Sequence, residues 1–125
     1  VQEAHVKEVM CAYNRYEGEP CCGSKQLLIH ILREQWGYRD IVVSDCSAIT
    51  DFFKKNHHET HPSKEAASAD AVISGTDLEC GSNYSSLVQA VRQGLITAAQ
   101  IDTSVRRLLK ARFDLGLLDP DSLVP

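Results

Sequence analysis

The hydrophobic pattern changes period several times along the chain, and each change marks an element. In "VKEVMCAYN" the residues Val6, Val9, Met10 and Cys11 form a short β-forming run that stops at the polar Asn14, which predicts a strand. "RYEGEPCCG" carries glycine and proline punctuation and reads as a loop. From Ser24 the period becomes helical. Leu27, Leu28, Ile31, Leu32 and Trp36 share one face, Ser24 suits the N-cap, and Gly37 stands where a helix end requires positive φ. "IVVSD" follows, with Ile41, Val42 and Val43 consecutive and β-branched, the pattern of a strand covered on both faces of a parallel sheet.

The second half is mostly helical in pattern. "CSAITDFFKK" is a loop or short helix, "NHHETHP" is polar, "SKEAASA" is a short helix, and "DAVISGTD" is an apolar run read as a third strand stopped by Gly75. Ser82 heads a helix through Leu87, Val88, Ala90 and Val91 that ends at Gly94. The last helix has the clearest signals. Thr97 and Gln100 have capping-box spacing, and Ile96 and Ile101 occupy staple positions. Ile101, Val105, Leu108, Leu109 and Phe113 continue the stripe until Gly116.

The resulting order, β-α-β-α-β-α-α, implies an α/β fold with about three parallel strands joined by helical crossovers. A complete (β/α)₈ barrel needs about 250 residues. This chain of 125 therefore suits a small three-layer domain or a partial barrel of the TIM type. Residues 1–119 make the domain, and 120–125, between Pro120 and Pro125, a tail. Three parallel strands leave two open edges, through which a second copy would pair to form a homodimer.

Charge and composition narrow the function classes. Net charge is −4 with Lys and Arg scattered, which argues against a nucleic-acid face. No apolar run approaches the roughly 18 residues of a membrane span. The opening "VQEAHVKEVM" has no apolar core of a signal peptide. Neither a phosphate-binding glycine loop nor a G-x-S-x-G elbow is present, and no cofactor is expected. The five cysteines, at 11, 21, 22, 46 and 80, do not have zinc-site spacing. They read either as reduced buried thiols or as one or two disulfides, with at least one thiol left free.

In parallel α/β folds ligands bind at the carboxyl ends of the strands. Here those ends carry Tyr13, Asn14 and Arg15; Ser44, Asp45 and Cys46; and Thr76, Asp77, Glu79 and Cys80. An ionised Asp45 directly after "IVVS" must face a polar rim or a partner. It either caps the next helix or does chemistry. Asp77 and Glu79, two apart, would bind sugar hydroxyls or a metal, or stay solvated. His57, His58 and His61 cluster in a polar loop, where no metal is the expected reading. Arg15 is either an anion ligand or a surface residue.

Three segments in this order, "VMCAYNRYEGEPCC", "WGYRDIVVSDCSAI" and "SGTDLECGSNY", resemble glycoside hydrolase family 3, and the likeness extends through the closing "RRLLKARFDLGLLD". It runs from Val6 to Asp119 but covers only the later, C-terminal part of that family's catalytic barrel domain. The resemblance implies a retaining β-glycosidase, of β-xylosidase or β-glucosidase type, acting on β-linked oligosaccharides. It implies that Asp45 is the nucleophile and that Met10 and Tyr13 line the subsite of the cleaved sugar. Cys46 stands where β-glucosidases often have Trp. The β-xylosidase-like branch places a disulfide there, which maps to Cys46–Cys80 and would crowd the C6 group of a hexose. A second bridge would join Cys11 to Cys21 or Cys22. Two bridges imply an oxidising compartment, periplasmic or secreted.

The general acid/base has no counterpart in this sequence. The resemblance assigns it to a following domain or loop, so the isolated chain is expected to be inactive and to need the rest of its barrel. Two other readings compete: a non-catalytic sugar-binding or dimerising module, and a flavodoxin-like regulatory domain. The latter wants an acidic pair after the first strand, where Tyr13 and Asn14 stand instead.

Overall fold

The computed structural model describes residues 1–123. Strand β1, Glu8–Cys11, pairs in parallel with β4, Ile41–Ser44, in the register Glu8 to Ile41 through Cys11 to Ser44. A third parallel position follows as a single bridge between Val43 and Leu78. Val42 O accepts from the amides of Asp77 and Leu78, and Leu78 O accepts from Ser44 N at 2.8 Å.

The expected third strand over residues 70–77 is largely helix. Helix α1 runs Lys64–Ile73 and joins the predicted short helix to "DAVI". Local signals favour this outcome. Ser63 Oγ caps by accepting from Ala66 N, four alanines supply strong helix propensity, and Gly75 takes φ +105° at the exit. A short apolar run cannot by itself separate helix from strand. The parallel sheet therefore has two strands plus one bridge.

The π-helix Gln26–Gln35 buries Leu28, Leu32 and Arg33, and i→i+5 bonding brings Leu28 and Arg33 to the same side. Ser24 Oγ accepts from Leu27 N at its start, and Gly37 turns its end at φ +70°. Trp36 stays 47% exposed, so the predicted stripe is not wholly covered. Helix α2, Leu87–Arg92, continues from a 3₁₀ turn at Asn83–Ser86. Helix α3, Ala98–Asp114, starts at the complete Thr97–Gln100 capping box, and Ile96 and Ile101 pack in one cluster beneath it. Its outer stripe is open, with Phe113 65% exposed. Residues 124 and 125 of the tail lie outside the described residues.

The segment read as a loop holds a small antiparallel hairpin, β2 Arg15–Tyr16 with β3 Glu19–Pro20. Glu17 and Gly18 form its two-residue turn, both at positive φ, the conformation that matches strand twist.

The main core lies on one face of the sheet. Cys11, Val42, Leu28, Leu32, Ile49 and Phe52 pack there with Ala67 and Ala71 of α1. β4 is not covered on both faces as its β-branched run suggests. Val42 and Ser44 are buried, whereas Ile41 and Val43 are half-buried, and their neighbours Glu8 and Met10 are exposed. The second face of the sheet is open.

Candidate active site

Asp45 leaves the carboxyl end of β4. Its amide donates to Cys11 O at 3.0 Å, extending the parallel ladder one step past the strands. The alternation that turns Val42 and Ser44 into the core carries Val43 and Asp45 to the open face, beside Met10, the register partner of Val43. Asp45 is half-buried there. Its Oδ1 accepts from Cys46 N at 2.7 Å. It caps no helix: the 3₁₀ turn Ala48–Phe52 begins at Ser47 without a side-chain cap.

The turn after Asp45 is tightly held. Ser47 adopts φ +66°, a left-handed conformation uncommon for serine, while its amide donates to Cys80 O at 2.7 Å. Cys80 N donates to Ser44 Oγ at 3.1 Å, and a Cys46–Cys80 disulfide closes the same corner. The other bridge joins Cys11 to Cys22, at the base of the hairpin loop. Cys21 is the free cysteine; it is buried, and burial pushes its thiol up.

Tyr13 reaches across from the β1 loop, and its hydroxyl donates to Cys46 O. Lost hydration and then the Asp45 charge raise its phenol above the ordinary tyrosine range. Met10 and Tyr13 are 60% and 45% exposed, so both are available on the open side.

The other two strand-end carboxylates are occupied. Asp77, expected to bind sugar, bind metal or stay solvated, is 3% exposed. Its Oδ2 accepts from Arg33 Nη2 at 2.7 Å and Val42 N at 3.0 Å, and its Oδ1 accepts from Ser104 Oγ at 2.9 Å and Arg107 Nη1 at 2.7 Å. Glu79 accepts from the amides of Asn83, at 2.9 Å, and Tyr84, at 2.6 Å, and so caps the Asn83–Ser86 turn. Both carboxylates are structural.

The three histidines part company. His57 pairs with Asp51 at 2.8 Å, His61 with Asp70 at 3.3 Å, and His58 with Arg15 and the Tyr13 backbone. Among the described residues no group of three His, Cys, Asp or Glu side chains is placed to hold a metal. Arg15 is an exposed residue whose side chain engages His58: Nε donates to His58 Nδ1 at 3.1 Å and Nη2 to His58 O.

The residues that sequence reasoning missed are Arg33, Ser104 and Arg107; His58 was singled out there, but only as part of a histidine cluster. Arg33 carried a signal, because an arginine beside Leu32 on a buried helix face requires an anionic partner. A cavity of about 390 Å³ lined by His5, Trp36, Tyr38 and Asp40 lies at the amino ends of β1 and β4, the opposite end of the sheet from Asp45.

Residues 1–111 match the glycosyl hydrolase family 3 N-terminal domain. The chain is 49% identical over 126 aligned residues to a xylan 1,4-beta-xylosidase of Xylanibacter ruminicola, covering 99% of this chain and 14% of that protein. It is 35% identical to beta-D-xylosidase 1 of Arabidopsis thaliana, covering 95% and 15% respectively. A solved GH3 exo-beta-xylosidase in complex with a xylobiose aziridine probe superposes with a TM-score of 0.85 at 32% identity, over 92% of this chain and 15% of that one. The beta-glucosidase of Listeria innocua with isofagomine does so at 0.86 and 28%, over 94% and 16%. This chain thus spans about one seventh of the length of its relatives. By the match over residues 1–111 and by these relatives, it belongs to glycosyl hydrolase family 3 and lies within that family's N-terminal domain.

Proposed function

We propose that this chain supplies the nucleophile-bearing strands of a retaining exo-acting β-glycosidase, with Asp45 as nucleophile and a xyloside as substrate. One observation carries the reading. Of the strand-end carboxylates, Asp77 and Glu79 are consumed by structural partners, whereas Asp45 takes a single amide donor and faces the open side with Met10 and Tyr13.

The chemistry follows from that placement. A carboxylate oxygen of Asp45 attacks the anomeric carbon, the glycosidic C–O bond breaks, and the departing oxygen takes a proton from an acid. Water then attacks the glycosyl ester, gives its proton to the same group as base, and frees Asp45. The rigid strand end contributes mainly orientation. Retention needs a second carboxyl about 5–5.5 Å from the first. With Asp77 and Glu79 engaged, the acid/base comes from elsewhere in the full protein. The chain would form the later strands of the barrel, the open sheet face and edges would meet the rest of it, and the isolated chain would not turn over substrate.

The Cys46–Cys80 bridge beside Asp45 supports a pentose, on the reading taken from the family resemblance that it would crowd the side where a hexose carries its extra hydroxymethyl group. Two disulfides among five cysteines support a periplasmic or secreted location.

The test places residues 1–125 in the Xylanibacter ruminicola xylosidase in exchange for its aligned segment. A 2-fluoro β-xyloside should add one sugar to the peptide containing Asp45, and Asp45→Asn should abolish both label and turnover. An active carrier labelled on another residue refutes the assignment. Turnover of nitrophenyl β-xyloside by the isolated chain refutes its inactivity.

A further inference from the structure

Tyr13 sits over the corner that carries Asp45, yet it stands on a loop with little packing of its own, since residues 12–19 are all exposed. Three devices hold that loop. At its base are the Cys11–Cys22 bridge and a hydrogen bond from Cys21 N to Asn14 O. Beyond Tyr13 the hairpin turn at Glu17 and Gly18 folds it back. Beside Tyr13 itself is His58, which comes from a different element 45 residues later.

The His58 ring is bonded at both nitrogens. Arg15 Nε lies 3.1 Å from Nδ1, and the Tyr13 carbonyl lies 2.7 Å from Nε2. Arginine has only donors and a carbonyl only accepts, so the arrangement requires neutral imidazole with its proton on Nε2. Arg15 also donates to the His58 carbonyl, which locks the backbone of the two loops together. The His58 loop is itself tightly shaped: Asn56 and Glu59 on either side take φ of +65° and +52°. His58 N donates to Asp51 O at 2.9 Å and Thr60 N to Phe52 O at 2.8 Å, anchoring it to the turn that follows Asp45. Left-handed conformations at two non-glycine residues persist only where the surroundings impose them.

We propose that His58, braced by Arg15, is a positioning residue for Tyr13, fixing its backbone so that the phenol meets the Cys46 carbonyl and the sugar bound at Asp45. This rests on the reading of Asp45 as nucleophile. His58 touches no substrate; it sets the orientation of a side chain that does.

The test is a double-mutant cycle in the same full-length carrier. His58→Leu should lower kcat/KM for a nitrophenyl β-xyloside by about 10- to 100-fold, the scale of misplacement in a site, mostly through KM. In a Tyr13→Ala background the same change should cost about twofold or less, because the residue it positions is gone. His58→Gln, whose amide can accept from Arg15 and donate to Tyr13 O, should restore most of the loss. Equal losses in both backgrounds, or glutamine as damaging as leucine, overturn the proposal. Should His58→Leu not fold, nitrogen NMR of the unmutated protein decides: a proton on Nε2 alone supports the clamp, and one on Nδ1 at neutral pH overturns it. Retained turnover in Asp45→Asn sinks the nucleophile reading separately, whatever the cycle gives.

Discussion

The Asp77 carboxylate accepts a hydrogen bond from the Val42 amide at 3.0 Å, although 35 residues separate them. Val42 lies three residues before Asp45 in the same strand segment, so the carboxylate helps fix the strand that aims the proposed nucleophile. Through Ser104 and Arg107 it also holds α3, and through Arg33 the π-helix. Burial pulls the Arg33 guanidinium down while the Asp77 charge opposes that pull. Asp77→Ala strands a buried cation, and breaking such a pair costs about 3–5 kcal/mol. The urea midpoint of Asp77→Ala should fall accordingly. A change below about 1 kcal/mol would show that α3 and the strand hold together without it.

Two tyrosines, the buried Tyr38 and the half-buried Tyr84, make the fold sensitive to alkali. Burial pushes the Tyr38 phenol up to about 12 and that of Tyr84 well above the ordinary value. Their hydroxyls donate to Ile41 O at 2.8 Å and Thr76 O at 2.7 Å, at the entry to β4 and just before the Leu78 bridge. A raised folded value means that stability is intact below the unfolded value of about 10 and is lost as pH climbs through about 12. Tyr38 contributes a slope of up to about 1.4 kcal/mol per pH unit in that window, and Tyr84 acts in the same direction. Urea unfolding at pH 8, 10 and 11 should show the fall. Tyr38→Phe with Tyr84→Phe should flatten it.

The disulfides are countable. In denaturant without reductant, alkylation should modify one thiol, Cys21, and with reductant all five. In the folded chain Cys21 should react slowly at neutral pH, because it is buried and its thiol is pushed up. Replacing Cys46 and Cys80 by Ser opens a 34-residue loop and should lower stability by about 4 kcal/mol; the shorter Cys11–Cys22 loop should give about 3. Five modified thiols without reductant would remove both bridges from the description.

What the sequence discloses here is mainly local. Helix ends at Gly37, Gly94 and the Thr97–Gln100 box depend on a few adjacent residues, and all take the expected conformation. The second half of helix α1 departs from the expected strand because "DAVI" satisfies both strand and helix patterns, and Ser63 and the alanines before it decide the matter. The role of Asp77 was invisible for another reason: its partners Arg33, Ser104 and Arg107 are 27 to 44 residues away. Asp45, by contrast, was legible because a strand end and a polar rim are both local features, and the family resemblance added its proposed role.

The sugar preference gives the sharpest remaining prediction. Cys46 follows Asp45 directly, its carbonyl accepts the Tyr13 hydroxyl, and its sulfur bridges to Cys80 across the same corner. A glucoside differs from a xyloside by one hydroxymethyl group, and one such group in a tight pocket is worth about 1–3 kcal/mol of discrimination. In the carrier enzyme, Cys46→Ala with Cys80→Ala removes both sulfurs while keeping Asp45. Overall activity should drop, because the turn at Ser47 loses its brace. The ratio of kcat/KM for glucoside over xyloside should nevertheless rise by about tenfold or more, since a ratio cancels losses common to both substrates. An unchanged ratio would make the bridge a purely structural staple and return the choice of sugar to residues outside this chain.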